Sequence, residues 1–149
     1  MRLIIQRVSQ AKVTVNKKIV GQINKGFLVF LGVAQNDTEK ELDWLVRKLV
    51  NLRITADKNN KMNLSLKDVK GEILVISQFT LFANCKKGNR PSFIKAANPQ
   101  KAEKFYNLFI KKLKTYNLKV NSGVFGAMMQ ISLINDGPVT IILDSPSSS

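Results

Sequence analysis

Apolar residues at the start of the chain fall into short, closely spaced runs. "RLIIQRV" is followed by "AKVTV" and then, across the turn Asn16-Lys17-Lys18, by "IVGQI". Gly26 opens "GFLVFLGVA", a nearly unbroken apolar run of the kind that is buried on both faces. Short turns between such runs predict an antiparallel meander. The pattern then changes period. Thr38 and Glu41 form a T-x-x-E capping box, and Leu42, Leu45, Val46, Leu49 and Leu52 follow at helical spacing, with Trp44 off that stripe and expected to be partly buried. "DKNNKMNLSL" reads as a loop. A second helix is predicted from Asn98-Pro99, an N-cap followed by proline at the first helical position. Ala102, Phe105, Phe109, Leu113 and Tyr116 mark its inner face, and Lys101, Lys104, Lys111, Lys112 and Lys114 point mostly outward, the usual arrangement of a solvated helix face. Two further strands are predicted around "AMMQISLI" and "VTIILD", and the tail "SPSSS" is expected to be disordered. No repeat or internal boundary interrupts this order. The pattern predicts one α+β domain over residues 1–145 with a strand-rich core and two long helices, followed by a tail at 146–149.

Three stretches do not fit a plain core. In "GEILVISQFTLFAN" (71–84) the polar Ser77, Gln78 and Thr80 stand in what reads as a buried strand, where an unpartnered hydroxyl or amide costs about 1–3 kcal/mol. Strand alternation would put Gln78 and Thr80 on one face, able to grip a small polar ligand together, and Ser77 and Phe79 on the other. A strand end that meets water explains the same residues equally well. In "NDGPVT" (135–140), Gly137-Pro138 lies between two strand-like runs, where proline removes a ladder donor. An ordinary hairpin turn is the plainer account; a fixed cis-proline element is the sharper one. In "KKGNRPSF" (86–93), Lys86, Lys87 and Arg90 surround Gly88 in a loop that could hold phosphates, although a basic glycine loop is a weak signal on its own.

Composition narrows the chemistry. The 149 residues include no histidine and one cysteine, so imidazole-based triads, intrachain disulfides and thiolate zinc clusters are all excluded, and no metal or cofactor is expected. Cys85 itself is expected to be a small buried or half-buried residue. The formal net charge of +14 favours a polyanionic partner, although a generally lysine-rich composition accounts for part of it. No apolar run approaches the roughly 20 residues of a membrane span, and "MRLIIQRV" lacks a secretory signal pattern, so a cytoplasmic protein is expected.

Taken together and in this order, "QRVSQAKVTV", "DWLVRKLVNLRI", "KMNLSL", "SQFTLFA", "KKGNRPSF", "FGAMMQISLINDGPVTI" and the closing "LDS" resemble the D-aminoacyl-tRNA deacylases of the bacterial and eukaryotic type. The resemblance runs over residues 1–145. It implies a barrel-like, mostly antiparallel core and a homodimer whose active site lies at the subunit interface. It also implies hydrolysis of the ester joining a D-amino acid to tRNA, and of glycyl-tRNA, including glycine mischarged on tRNA(Ala). By the same resemblance, Ser77, Gln78, Phe79 and Thr80 line the pocket for the aminoacyl 3′ end, and Phe125 and Met129 hold the terminal adenosine. Gly137 and Pro138 form a Gly-cis-Pro gate that enters the partner's pocket and rejects L-amino acids by steric clash, and Arg7 supports that gate. With no histidine available, attack by water assisted by the tRNA 2′-hydroxyl is favoured over a Thr80 nucleophile. A basic RNA-binding module without catalysis is the alternative from a different class.

Overall fold

The computed structural model describes residues 1–146; most of the expected tail, residues 147–149, lies outside the described residues. The chain begins with one long strand, β1 (Arg2–Val15), followed by β2 (Lys18–Ile23) and β3 (Gly26–Gly32). "RLIIQRV" and "AKVTV" are therefore one strand. Nor do the first three strands form a meander: β2 pairs with the C-terminal half of β1, from Ala11↔Ile23 to Val15↔Lys18, while β3 pairs with its N-terminal half, from Arg2↔Gly32 to Val8↔Gly26. With 14 residues, β1 is long enough to hold two antiparallel partners end to end, which no local pattern discloses.

Helix α1 (Glu39–Asn51) starts at the predicted capping box, with both reciprocal Thr38–Glu41 bonds formed. Leu42, Leu45, Val46 and Leu49 are buried, and Trp44 is half-buried against the core. Just before the stretch expected to be a loop (57–66) lies β4 (Thr55–Ala56), which pairs with β5 (Met62–Leu64) inside it, and at its end a single turn α2 (Leu66–Val69) is capped reciprocally by Ser65 and Asp68. Strand β6 (Glu72–Ser77) runs parallel to β3. A 3₁₀ turn (Phe79–Phe82), helix α3 (Pro99–Lys114) and the short strand β7 (Val120–Ser122), parallel to β6, come next. The last strand, β8 (Gln130–Asp144), joins the two runs predicted as separate strands and lies antiparallel along β1.

The main sheet runs β2-β1-β3-β6-β7, with β8 also on β1, and it bends nearly into a barrel: the Asn121 amide of β7 donates to the Gln22 carbonyl of β2. Alternation along β3 and β6 then separates two apolar clusters. Phe27, Val29, Leu31, Ile73 and Val75 face α1 and α3, where Leu45, Leu49, Phe105 and Phe109 complete the larger core. Leu28, Leu74 and Ile76 face inward with Val8, Val13 and Ile23. A continuous apolar run is buried on both faces because each face has its own core, and each fully buried side chain of this size contributes about 1.5–3 kcal/mol.

Candidate active site

Strand β6 ends where the two cores separate. Its last ladder bond runs from the Gln78 N–H to the Leu31 carbonyl (2.8 Å), after which the backbone tightens into the 3₁₀ turn. Gly32 lies under this turn: a Cβ there would stand 3.1 Å from both Leu81 and Phe82, so a larger residue would require those side chains to give way. The expectation that Ser77–Leu81 continues as a strand is thus corrected. Gln78 and Thr80 still meet, but across a turn: the Gln78 amide donates to the Thr80 hydroxyl oxygen. At the start of such a turn the main-chain N–H groups of Phe79 and Thr80 have no acceptor within it.

Beside this turn is a cavity of about 730 Å³. Ser77, Gln78, Phe79 and Thr80 form one wall, and Phe125 and Met129 stand in the other, so the residues expected to line the pocket are brought together with those expected to hold adenosine. Among the described residues, no charged side chain lines it. Ile76 and Ile131 belong to the inner cluster or pack on it, whereas Leu31, Val33 and Tyr106 belong to the helix-side core, so the cavity occupies the seam between the two.

Tyr106 and Phe93 are lining residues that the sequence reading did not single out. The Tyr106 hydroxyl lies 2.9 Å from the Val75 carbonyl and 3.3 Å from that of Gly123, and its ring stands 5.9 Å from that of Phe125. Burial pushes its phenol up to about 12, keeping it a neutral donor. It therefore links β6 to the wall that carries Phe125. The only available signal was its place beside Phe105, one position off the predicted helical stripe. Phe93 packs edge-on against Phe79, with centroids 5.0 Å apart.

Gly137, Pro138 and Arg7 do not line this cavity. "NDGPVT" is not a hairpin turn but a bulge within β8: Gln6 pairs with Thr140 and Val8 with Asn135, so Asp136–Val139 stand opposite Arg7 alone. The Gly137–Pro138 bond is cis, and Gly137 has φ +143°. Side chains from both strands fix the bulge. Arg7 donates from Nε to the Asp136 carbonyl (2.9 Å) and from an η nitrogen to the Ile54 carbonyl (2.7 Å). The Asn135 amide accepts from the Val139 N–H (2.8 Å) and donates to the Thr140 hydroxyl (3.0 Å). Val139 is buried beneath the bulge, leaving Gly137 and Pro138 exposed.

Lys86, Lys87 and Arg90 lie outside the cavity, on an exposed loop closed by the Asn84–Ser92 bridge. Cys85, expected to be at least half-buried, is exposed on the same loop. Among the described residues no group of three or more carboxylate or thiol side chains is placed to hold a metal ion, and no helix is long and apolar enough to cross a membrane.

A profile of the family described as D-Tyr-tRNA(Tyr) deacylase matches residues 4–144. Proteins named D-aminoacyl-tRNA deacylase from Thermosipho melanesiensis and Fusobacterium nucleatum are each 56% identical to the chain, over 97% of both sequences in the first case and over 100% of this chain and 99% of the other in the second. A solved structure titled c-Myc DNA Unwinding Element Binding Protein superposes with a TM-score of 0.93 at 45% identity, covering 99% of this chain and 100% of its own. Another, of a probable eukaryotic D-amino acid tRNA deacylase, shares the fold at a TM-score of 0.85 with 19% identity, covering 95% and 97%.

Proposed function

The chain belongs to the D-Tyr-tRNA(Tyr) deacylase family, and from that premise we propose that it is an editing hydrolase that cleaves the ester of D-aminoacyl-tRNA in the cytoplasm, releasing the D-amino acid and free tRNA. The observation that carries this reading to the site is the uncharged cavity joining Ser77–Thr80 to Phe125 and Met129. A flat base suits an aromatic ring and a polarizable thioether, so the terminal adenosine occupies the Phe125–Met129 side and the aminoacyl group reaches the 3₁₀ turn.

Water adds to the ester carbonyl, and the resulting oxyanion needs donors. The free N–H groups of Phe79 and Thr80 at the start of the turn supply them without reorganisation. The Thr80 hydroxyl is a poor nucleophile in this setting: Gln78 donates to it, and among the described residues no carboxylate lines the cavity to take its proton. The tRNA 2′-hydroxyl, next to the ester, assists the attacking water instead.

Gly137 and Pro138 act as the chiral gate of a homodimer, each bulge entering the partner's pocket. In support, the bulge is exposed and lies six residues along β8 from Ile131 at the cavity wall, about 20 Å of strand. The gate rejects an L side chain by collision and admits glycine, which has none, so glycyl-tRNA, including glycine mischarged on tRNA(Ala), is a second substrate. Arg7 holds the bulge in place.

The 45% identical structure named for DNA binding favours a second reading, a basic nucleic-acid-binding module without catalysis. Mixing the protein with D-Tyr-tRNA and L-Tyr-tRNA and following ester loss separates the two. Rapid loss of the D-ester alone is expected; equal protection of both esters would leave the binding module.

A further inference from the structure

Among the described residues no charged side chain lines the cavity, so it offers a phosphate no cation. A chain of net charge +14 offers cations elsewhere, and several are already engaged: Arg2 with Asp144, Arg7 with Asp136, Lys112 with Asp43, and Lys119 with Glu72. Three that are not occupied in this way share one loop at the cavity's edge. Asn84 and Ser92 exchange both backbone bonds (2.8 and 3.0 Å), closing residues 85–91 into a hairpin arm. Lys86, Lys87 and Arg90 are exposed on it, and none has an acidic partner among the described residues. Gly88, with φ +78°, forms the tip, where a non-glycine residue would be strained. At the foot of the arm Phe93 is itself a wall of the cavity and packs on Phe79. The arm is therefore anchored to the site and carries its charge outside it.

We propose that this arm grips the phosphodiesters of the unpaired nucleotides directly before the terminal adenosine, so that cavity and arm divide the substrate: the cavity takes the neutral aminoacyl-adenosine and the arm takes the anionic strand. This rests on the deacylase reading above. Backbone phosphate contacts position a strand without reading its sequence, so the arm serves every tRNA alike and contributes to affinity, not to chirality. The lysines of α3 are a poorer candidate. Ala102 and Tyr106 give the cavity one face of that helix, whereas Lys104, Lys111 and Lys114 are exposed on the remainder of its surface and have no comparable anchor at the cavity.

The test compares the wild-type chain with the triple variant Lys86→Ala/Lys87→Ala/Arg90→Ala on two substrates, D-Tyr-tRNA and D-tyrosyl-adenosine, which carries no phosphate. The variant should raise KM for D-Tyr-tRNA by about tenfold or more and flatten the salt dependence of tRNA binding by roughly 0.7 per lost contact, about 2 in all. Its kcat/KM on D-tyrosyl-adenosine should be unchanged. An unchanged KM and salt slope on tRNA, or an equal loss on both substrates, would overturn the proposal; the second result would mean that the loop shapes the pocket. If the wild-type chain hydrolyses neither ester, the deacylase reading fails by itself. The salt slope of uncharged tRNA binding by the two proteins then still decides whether the arm holds phosphates.

Discussion

Two segments of this chain interrupt regular β-structure with polar or helix-incompatible residues, and they do so in opposite ways. At Ser77–Thr80 the strand stops, and a 3₁₀ turn folds over Gly32 to leave a concave wall. At Asp136–Val139 the strand continues, and the extra residues stand out from the sheet opposite Arg7. The first segment lines a cavity of its own chain, whereas Gly137 and Pro138 of the second are exposed and do not line it. Within the first, the side chains of Gln78 and Thr80 bond to each other; the second is held by its own Asn135 and also by a guanidinium from another strand. One segment is concave and the other stands out from the sheet, and on the shared-site reading proposed above the second would enter the first of a partner copy. Self-complementary contacts about a two-fold axis would bring each projection to the other copy's concavity.

The largest effect is expected from altering the projection. In Gly137→Ala the new Cβ would lie 2.7 Å from the Val139 side chain and 3.2 Å from the Arg7 guanidinium, at a φ that L residues rarely adopt. Displacing the bulge by an ångström should lower kcat/KM on D-Tyr-tRNA by about 10²-fold while leaving the cavity of the same chain intact. Mixing this variant with a pocket-blocked chain, Ala127→Trp, breaks or secures the shared-site reading. Each mixed dimer then contains one site with an intact pocket and an intact gate, so random exchange should restore about a quarter of wild-type activity. No recovery, with exchange verified by mass, would mean that pocket and gate belong to the same chain.

An intermediate effect is expected at Arg7. Arg7→Ala leaves the Asp136 and Ile54 carbonyls without their donor, costing about 1–3 kcal/mol for the buried group, a fall of several degrees in Tm. Activity should fall further than that loss of stability explains. Arg7→Lys should rescue little, because one ammonium does not reproduce a planar fork that reaches two carbonyls. Full activity in Arg7→Ala would show that the bulge holds its shape without help from β1.

The smallest effect is expected on the receiving side. Thr80→Ala removes a hydroxyl that accepts from Gln78 but keeps the main-chain N–H at that position, so kcat should stay within about tenfold of wild type, or about 1.4 kcal/mol. A D-Tyr-tRNA ending in 2′-deoxyadenosine should bind normally and resist hydrolysis. Trapping an acyl group on Thr80, or normal turnover of the deoxy substrate, would assign the chemistry to the protein's hydroxyl.

Much of the frame is visible in the sequence because it depends on neighbours within a few residues. The Thr38–Glu41 box sets the start of α1, Asn98-Pro99 sets the start of α3, and the 26–34 run announces a strand buried on both faces. The polar residues at 77–80 and the Gly-Pro pair at 137–138 also stand out, because each contradicts the pattern around it. Their geometry did not follow from that contradiction: alternation made a strand of a turn, and the usual association of Gly-Pro with chain reversal made a hairpin of a bulge. Both outcomes depend on partners distant in sequence. Gly32 lies under the turn, and Arg7 stands opposite four residues of β8. Tyr106 was hidden for the same reason, since its task is to join Val75 to the segment before Phe125. By itself the sequence determined the main apolar stripes of α1 and α3 and where those two helices begin, because periodicity and capping are short-range. Only the tertiary structure decided that β1 carries two partners on one edge, that a cavity opens between two cores, and that the two signatures lie apart, because strand pairing is chosen by contacts spanning the whole chain.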